Sequence, residues 1–132
     1  KKFLEHGAKV LINDVNHQTF DQVESNFIKA GIDTQNFSFF PGDVSNESDM
    51  KNMFNKCKNK FGSTTILVNN AGIIQETKFL NISSGDWDKM IAVHLKGCFL
   101  GCKNALKPML EAGEGIIINI ALIGFALPSM VI

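Results

Sequence analysis

Four short apolar runs, separated by stretches of helical periodicity, leave this chain very few folds. The runs are residues 10–12, 37–40, 65–68 and 116–120, and they are rich in Val, Ile, Leu and Phe. Without strict polar alternation, they read as strands buried on both faces. Between the first two, Phe20, Val23, Phe27 and Ile28 recur on one helical face. Ser45 or Asn46 can cap the next helix, whose buried stripe is Met50, Met53, Phe54, Cys57 and Phe61. A longer helix is expected over about residues 86–110, with Trp87, Ile91, Leu95, Cys98, Cys102, Ala105, Leu106 and Met109 on one face. Its other side, with Met90, Val93, Gly97, Leu100 and Gly101, is apolar or small, so this helix should pack on two sides. Residues 1–6 read as the end of an earlier helix, stopped at Gly7.

Strand and helix thus alternate with no hairpin signal, which predicts parallel strands joined by right-handed crossovers. The expected class is α/β, a doubly wound parallel sheet. Ligands of such sheets lie at the carboxyl ends of the strands, and the polar residues Asp14, Asp43, Asn69 and Asn70 fall there. No repeat or linker divides residues 1–132, so one domain unit is expected.

Thirteen basic and thirteen acidic side chains give no net charge, which argues against a nucleic-acid groove or an anionic membrane surface as partner. Residues 115–132 carry no charge, yet their β-branched start and Gly124, Pro128 and Ser129 favour a buried strand and loop over a spanning helix. Three cysteines without CxxC spacing favour free thiols and a reducing, cytoplasmic setting. No signal-peptide order is seen near Lys1, and the Asn-x-Ser sequons at Asn36, Asn46 and Asn81 are read as chance.

A carboxylate closing a strand of a nucleotide-binding sheet can accept both adenosine ribose hydroxyls, and it repels a 2′-phosphate. Asp14 stands in that place and is followed by Val15 rather than arginine, which favours NAD over NADP. A turn or helix-cap aspartate is the competing reading. Asp43, before Val44 and Ser45, has the same two readings, with the adenine amino group as its ligand in the first.

The run Asn69 Asn70 Ala71 Gly72, with Ile66 Leu67 Val68 before it, resembles the NNAG signature of the short-chain dehydrogenase/reductase family. Gly7 Ala8 Lys9 Val10 before Asp14, Gly42 Asp43 Val44, and Gly115 Ile116 Ile117 Ile118 Asn119 Ile120 agree with that family in order and spacing. The resemblance implies a Rossmann-like domain that places Asp14 on the adenosine ribose and Asp43 with Val44 around adenine. Asn70, Ala71 and Gly72 would line the adenosine-ribose side. It further implies hydride transfer between a nicotinamide cofactor and a small-molecule alcohol or carbonyl substrate. A homo-oligomer through the helix at about 86–110 is expected as well. Asn69 and Asn70 can equally tie neighbouring strands together.

The catalytic half of the family pattern is not in this sequence. The chain has no tyrosine, so it cannot supply the Tyr-x-x-x-Lys pair, and no glycine-rich turn precedes residues 1–6. His94 takes the place of the family's helix asparagine, where it can serve a proton relay or simply satisfy a backbone group. Leu122 stands where the oxyanion-binding serine is expected, and Ser129 is the nearest hydroxyl beyond it. A metal site on His94, Cys98 and Cys102 is rejected, because eight helical residues separate the outer two by about 12 Å. The cysteines are expected to be small core hydrophobes. The expectation is an internal fragment of an NAD-dependent oxidoreductase, inactive as an isolated chain. The alternative is a non-catalytic relative that binds a nucleotide or pairs with an active partner. The sheet should lack its first strand and those after the fifth. Because that first strand is central in the doubly wound order, the remaining halves should part and leave two inner edges unpaired.

Overall fold

The computed structural model describes residues 1–74 and 77–121. The four apolar runs form strands β1 (Val10–Asp14), β2 (Phe37–Pro41), β3 (Ile66–Asn69) and β4 (Ile116–Asn119). β1 pairs with β2 in parallel, Val10 opposite Phe37 through to Asp14 opposite Pro41. β3 pairs with β4 in the same sense, Ile66 opposite Ile116 and Asn69 opposite Asn119. Among the described residues no ladder joins the pairs, and they stand as two two-stranded sheets. This is an incomplete, Rossmann-like α/β sheet, parted where its central strand is expected.

The edges of these sheets are treated differently. The Gly42 N–H donates to the Asp14 carbonyl, so strand alternation turns the backbone of Ser38 and Phe40 toward β1 and that of Phe37 and Phe39 outward. On that outer edge two ammonium groups sit on the carbonyls, Lys56 Nζ at 2.7 Å from Phe39 O and Lys60 Nζ at 2.9 Å from Phe37 O. Lysines so placed block further strand addition. The opposite edges, at Leu11 and Asn13 of β1 and at Ile66 and Val68 of β3, take no strand among the described residues.

Helix α1 (Lys2–Glu5) precedes β1, and α2 (Phe20–Lys29) follows a 3-10 turn at His17–Thr19 capped by Asn16. The predicted apolar face of α2 lies on β2. Phe20 stacks on Phe39 at 4.7 Å, and Phe27 meets Phe37 edge-on at 5.2 Å. Helix α3 (Glu47–Phe61) is capped by Asn46, whose side chain accepts from the amides of Ser48 and Asp49. It packs on both β1 and the final long helix, α5 (Gly97–Ala112), and so bridges the two halves. A second core joins Leu67 of β3 to Ala105 and Met109 of α5, with Phe54 of α3 and Ile117 against them.

The bridge carries one ion pair, Lys103 Nζ to Glu47 Oε1 at 2.8 Å. The bond from Lys103, and then its charge, holds the exposed Glu47 carboxyl below its ordinary range. A lowered carboxylate pKa favours the folded state at neutral pH, and the contribution fades as pH falls through the lowered value. An NMR titration of the Glu47 side chain is expected to show the lowered midpoint, returning to an ordinary one in Lys103→Ala.

Candidate cofactor-binding site

The carboxyl ends of β1 and β2 are stapled together. Gly42 N–H donates to Asp14 O at 3.1 Å, and Asn13 Nδ2 donates to Gly42 O at 3.1 Å. The Asp14 and Asp43 side chains therefore emerge from neighbouring strand ends, both exposed. Each also shapes its own turn. Asp14 Oδ1 accepts from Asn16 N at 2.8 Å, while Asp43 Oδ1 accepts from Ser45 N and Ser45 Oγ, both at 2.8 Å. Asp43 N–H in turn donates to Asp49 Oδ2 at 3.0 Å. The turn reading holds at both positions; each bond pattern engages Oδ1, and Oδ2 takes no bond among the described residues. Val44 lies over Gly97 of α5, so the loop after β2 meets that helix directly.

The carboxyl ends of β3 and β4 are joined through side chains. Asn69 and Asn119 stand opposite each other in the ladder, and Asn69 Nδ2 donates to Asn119 Oδ1 at 2.8 Å. The same amide reaches the sulfurs of Cys98 at 3.6 Å and Cys102 at 3.7 Å. Helix α5 comes this close because Gly101 has no side chain; a β-carbon there would overlap Asn69 Oδ1. Asn70, Ala71 and Gly72 follow as an exposed loop with little side-chain bulk at its end. Beside it lies a cleft of about 340 Å³ lined by Ile73, Ile74, Asp86, Lys89 and Met90.

The residues from Trp87 to Met109 that the sequence put on one face of the long helix do not stay on one face. Helix α4 (Ser84–Ile91) runs into five residues of π-helix, Ala92–Lys96, before α5 begins. A π-turn holds one residue more than a regular turn, which swings everything after it by about 100° around the axis. Trp87, Ile91 and Leu95 consequently face outward, whereas Cys98, Cys102, Ala105 and Met109 turn toward β3 and β4. Cys98 and Cys102 are half-buried against the Asn69 amide rather than packed as apolar filling, and Cys57, also half-buried, lies 3.7 Å from the Thr64 hydroxyl. Burial pushes the Cys98 thiol up, with Cys102 adding to the shift and the Asn69 bond opposing it.

His94 lies inside the π-turn and reaches across to the loop after β3. Its Nε2 is 3.1 Å from Ile73 N and 2.8 Å from Ile73 O, and its ring packs on Gly72. One ring nitrogen either accepts from the amide or donates to the carbonyl, never both at once. An asparagine can do both, with its oxygen toward N–H and its NH2 toward the carbonyl. His94→Asn is thus expected to be as stable as the wild type or more so, while His94→Ala loses about 1 kcal/mol in urea denaturation. A His94→Asn protein less stable than His94→Ala would show that the ring, not the bond, holds the loop.

Leu122 and Ser129 lie outside the described residues. Asn69 ties neighbouring strands, as one reading of the sequence expected, with Asn119 as its partner; its contacts with the two sulfurs were not anticipated.

The profile of the short chain dehydrogenase family matches residues 1–126. The chain is 38% identical over 121 residues to 2,5-dichloro-2,5-cyclohexadiene-1,4-diol dehydrogenase LinX of Sphingobium indicum, covering 92% of this chain and 47% of that protein. Its fold is similar to that of a short-chain dehydrogenase from Novosphingobium aromaticivorans, with a TM-score of 0.83 and 27% identity over 89% of this chain and 44% of that one. It is also similar to a gluconate 5-dehydrogenase from Burkholderia cenocepacia, solved with NADP and tartrate, at a TM-score of 0.75 and 28% identity over 89% of this chain and 45% of that one. The chain spans about half the length of the relatives it matches. With these motifs in register at the carboxyl ends of parallel strands, the chain belongs to the short-chain dehydrogenase family.

Proposed function

We propose that this chain is the adenosine-binding part of an NAD-dependent oxidoreductase that exchanges hydride with a small-molecule alcohol or carbonyl. The observation that carries the reading is the pairing of Asp14 and Asp43 at stapled, adjacent strand ends. Asp14 Oδ2 is available to the ribose diol, and the carboxylate charge opposes a 2′-phosphate. Asp43 and Val44 flank the adenine, and the sparse side chains of Asn70, Ala71 and Gly72 let backbone approach the ribose. The bound nicotinamide would supply the hydride. His94 positions the loop that ends in Gly72 and Ile73, which leaves Nδ1 as its nitrogen for a water relay.

Leu122 at the expected serine position and His94 at the helix-asparagine position support a second reading, a relative that binds the nucleotide without turnover. Titration calorimetry of the full-length protein with NADH and NADPH, beside a carbonyl-reduction assay, separates the two. Tight NADH binding with turnover supports the first reading and binding without turnover the second. Failure to bind either nucleotide defeats both.

The free cysteines fit a reducing cytoplasm, and none of the described helices is long and apolar enough to cross a membrane. The outward stripe of Trp87, Leu95 and Phe99, the last two 64% and 59% exposed, is the surface through which the full-length protein would form a homo-oligomer. Leu95→Glu combined with Phe99→Glu is expected to reduce it to monomers in sedimentation velocity; an unchanged assembly would place the interface elsewhere.

A further inference from the structure

Cys98 and Cys102 are left over by the cofactor reading, yet they share one polar partner. One turn apart on α5, both sulfurs lie within 3.7 Å of a single nitrogen, Asn69 Nδ2. Cys98 Sγ also donates to Asn119 Oδ1 at 3.3 Å. Both thiols are only partly exposed.

Helical spacing decides what can join them. Side chains four apart on a helix hold their β-carbons about 5–6 Å from each other, whereas a disulfide requires about 3.5–4.5 Å. A direct S–S bond would therefore distort α5. A single atom inserted between the sulfurs removes that conflict, since two metal–sulfur bonds of about 2.3 Å reach about 4.6 Å end to end. Among the described residues no three His, Cys, Asp or Glu side chains converge, and His94 is turned to Ile73. Tetrahedral zinc, which needs three or four protein ligands, is poorly served by such a pair. A soft ion content with two thiolates is the better match.

We propose that Cys98 and Cys102 form a two-coordinate site for a soft d10 monovalent cation, with Cu(I) as its representative. Binding breaks two S–H bonds, forms two S–Cu bonds and releases two protons to solvent, with no change in oxidation state. Asn69 Nδ2, within 3.7 Å of both sulfurs, holds the two side chains toward one point.

The test is anaerobic titration of the full-length protein with Cu(I) against a coloured copper(I) chelator. Wild type and Cys57→Ser are expected to withdraw one Cu(I) per chain, and Cys98→Ser and Cys102→Ser to bind it at least 100-fold more weakly. X-ray absorption of the wild-type copper form, which needs no variant to fold, is expected to show two sulfur neighbours and no imidazole. Copper left with the chelator by the wild type, undiminished binding in either serine variant, or a shell with imidazole or a third sulfur would each overturn the proposal.

Discussion

Phe37→Ala is expected to destabilise the 132-residue chain by about 3–5 kcal/mol, the range for truncating a buried aromatic. Phe37 is 2% exposed and meets Phe27 at 5.2 Å and Phe39 at 5.7 Å, both edge to face. Removing it leaves a cavity and also breaks two ring pairs, each adding about 0.5–1.5 kcal/mol. No ladder joins β2 to the β3–β4 half among the described residues. The loss should be local. Amide exchange in β1, β2 and α2 is expected to quicken far more than in β3, β4 and α5. Equal quickening in both halves would mean that α3 couples them into one cooperative unit.

Asp14→Ala is expected to weaken NADH binding to the full-length protein by about 10- to 150-fold. That corresponds to the roughly 1.5–3 kcal/mol carried by hydrogen bonds to a charged group. The preference for NADH over NADPH should shrink with it, because the charge that repels a 2′-phosphate is gone. Asp21→Ala removes the same charge from the first turn of α2 and serves as control. Calorimetry with both nucleotides reads each effect. An Asp14→Ala protein that binds NADH like the wild type would remove the ribose assignment.

Strand positions were legible because each apolar run ends in a residue that cannot continue it. Asp14, Pro41, Asn69 and Asn119 close the four strands. The parting of the sheet followed from strand order alone, which is a property of connection rules rather than of side chains. The phase of the long helix was not legible. A period of 3.6 put Trp87 and Cys98 on one face, and only the π-turn around His94 separates them. Nothing in Ala92–Lys96 announces an extra residue per turn, since His94 gains its partner from Ile73, 21 residues earlier in the chain. Asp14 and Asp43 were legible as a pair of strand-end carboxylates. Both close turns, through Asn16 and Ser45, which is why position alone left two readings open.

The ammonium groups of Lys56 and Lys60 would steer any misassembly of this polypeptide. A stray β-ribbon arriving at β2 finds the Phe37 and Phe39 carbonyls already occupied, whereas the edges of β1 and β3 beside Leu11 and Val68 take no strand among the described residues. Fibre growth would therefore zip along the inside seam and leave α3 on the flank. Limited digestion of such fibres should cut first at the lysines of α3.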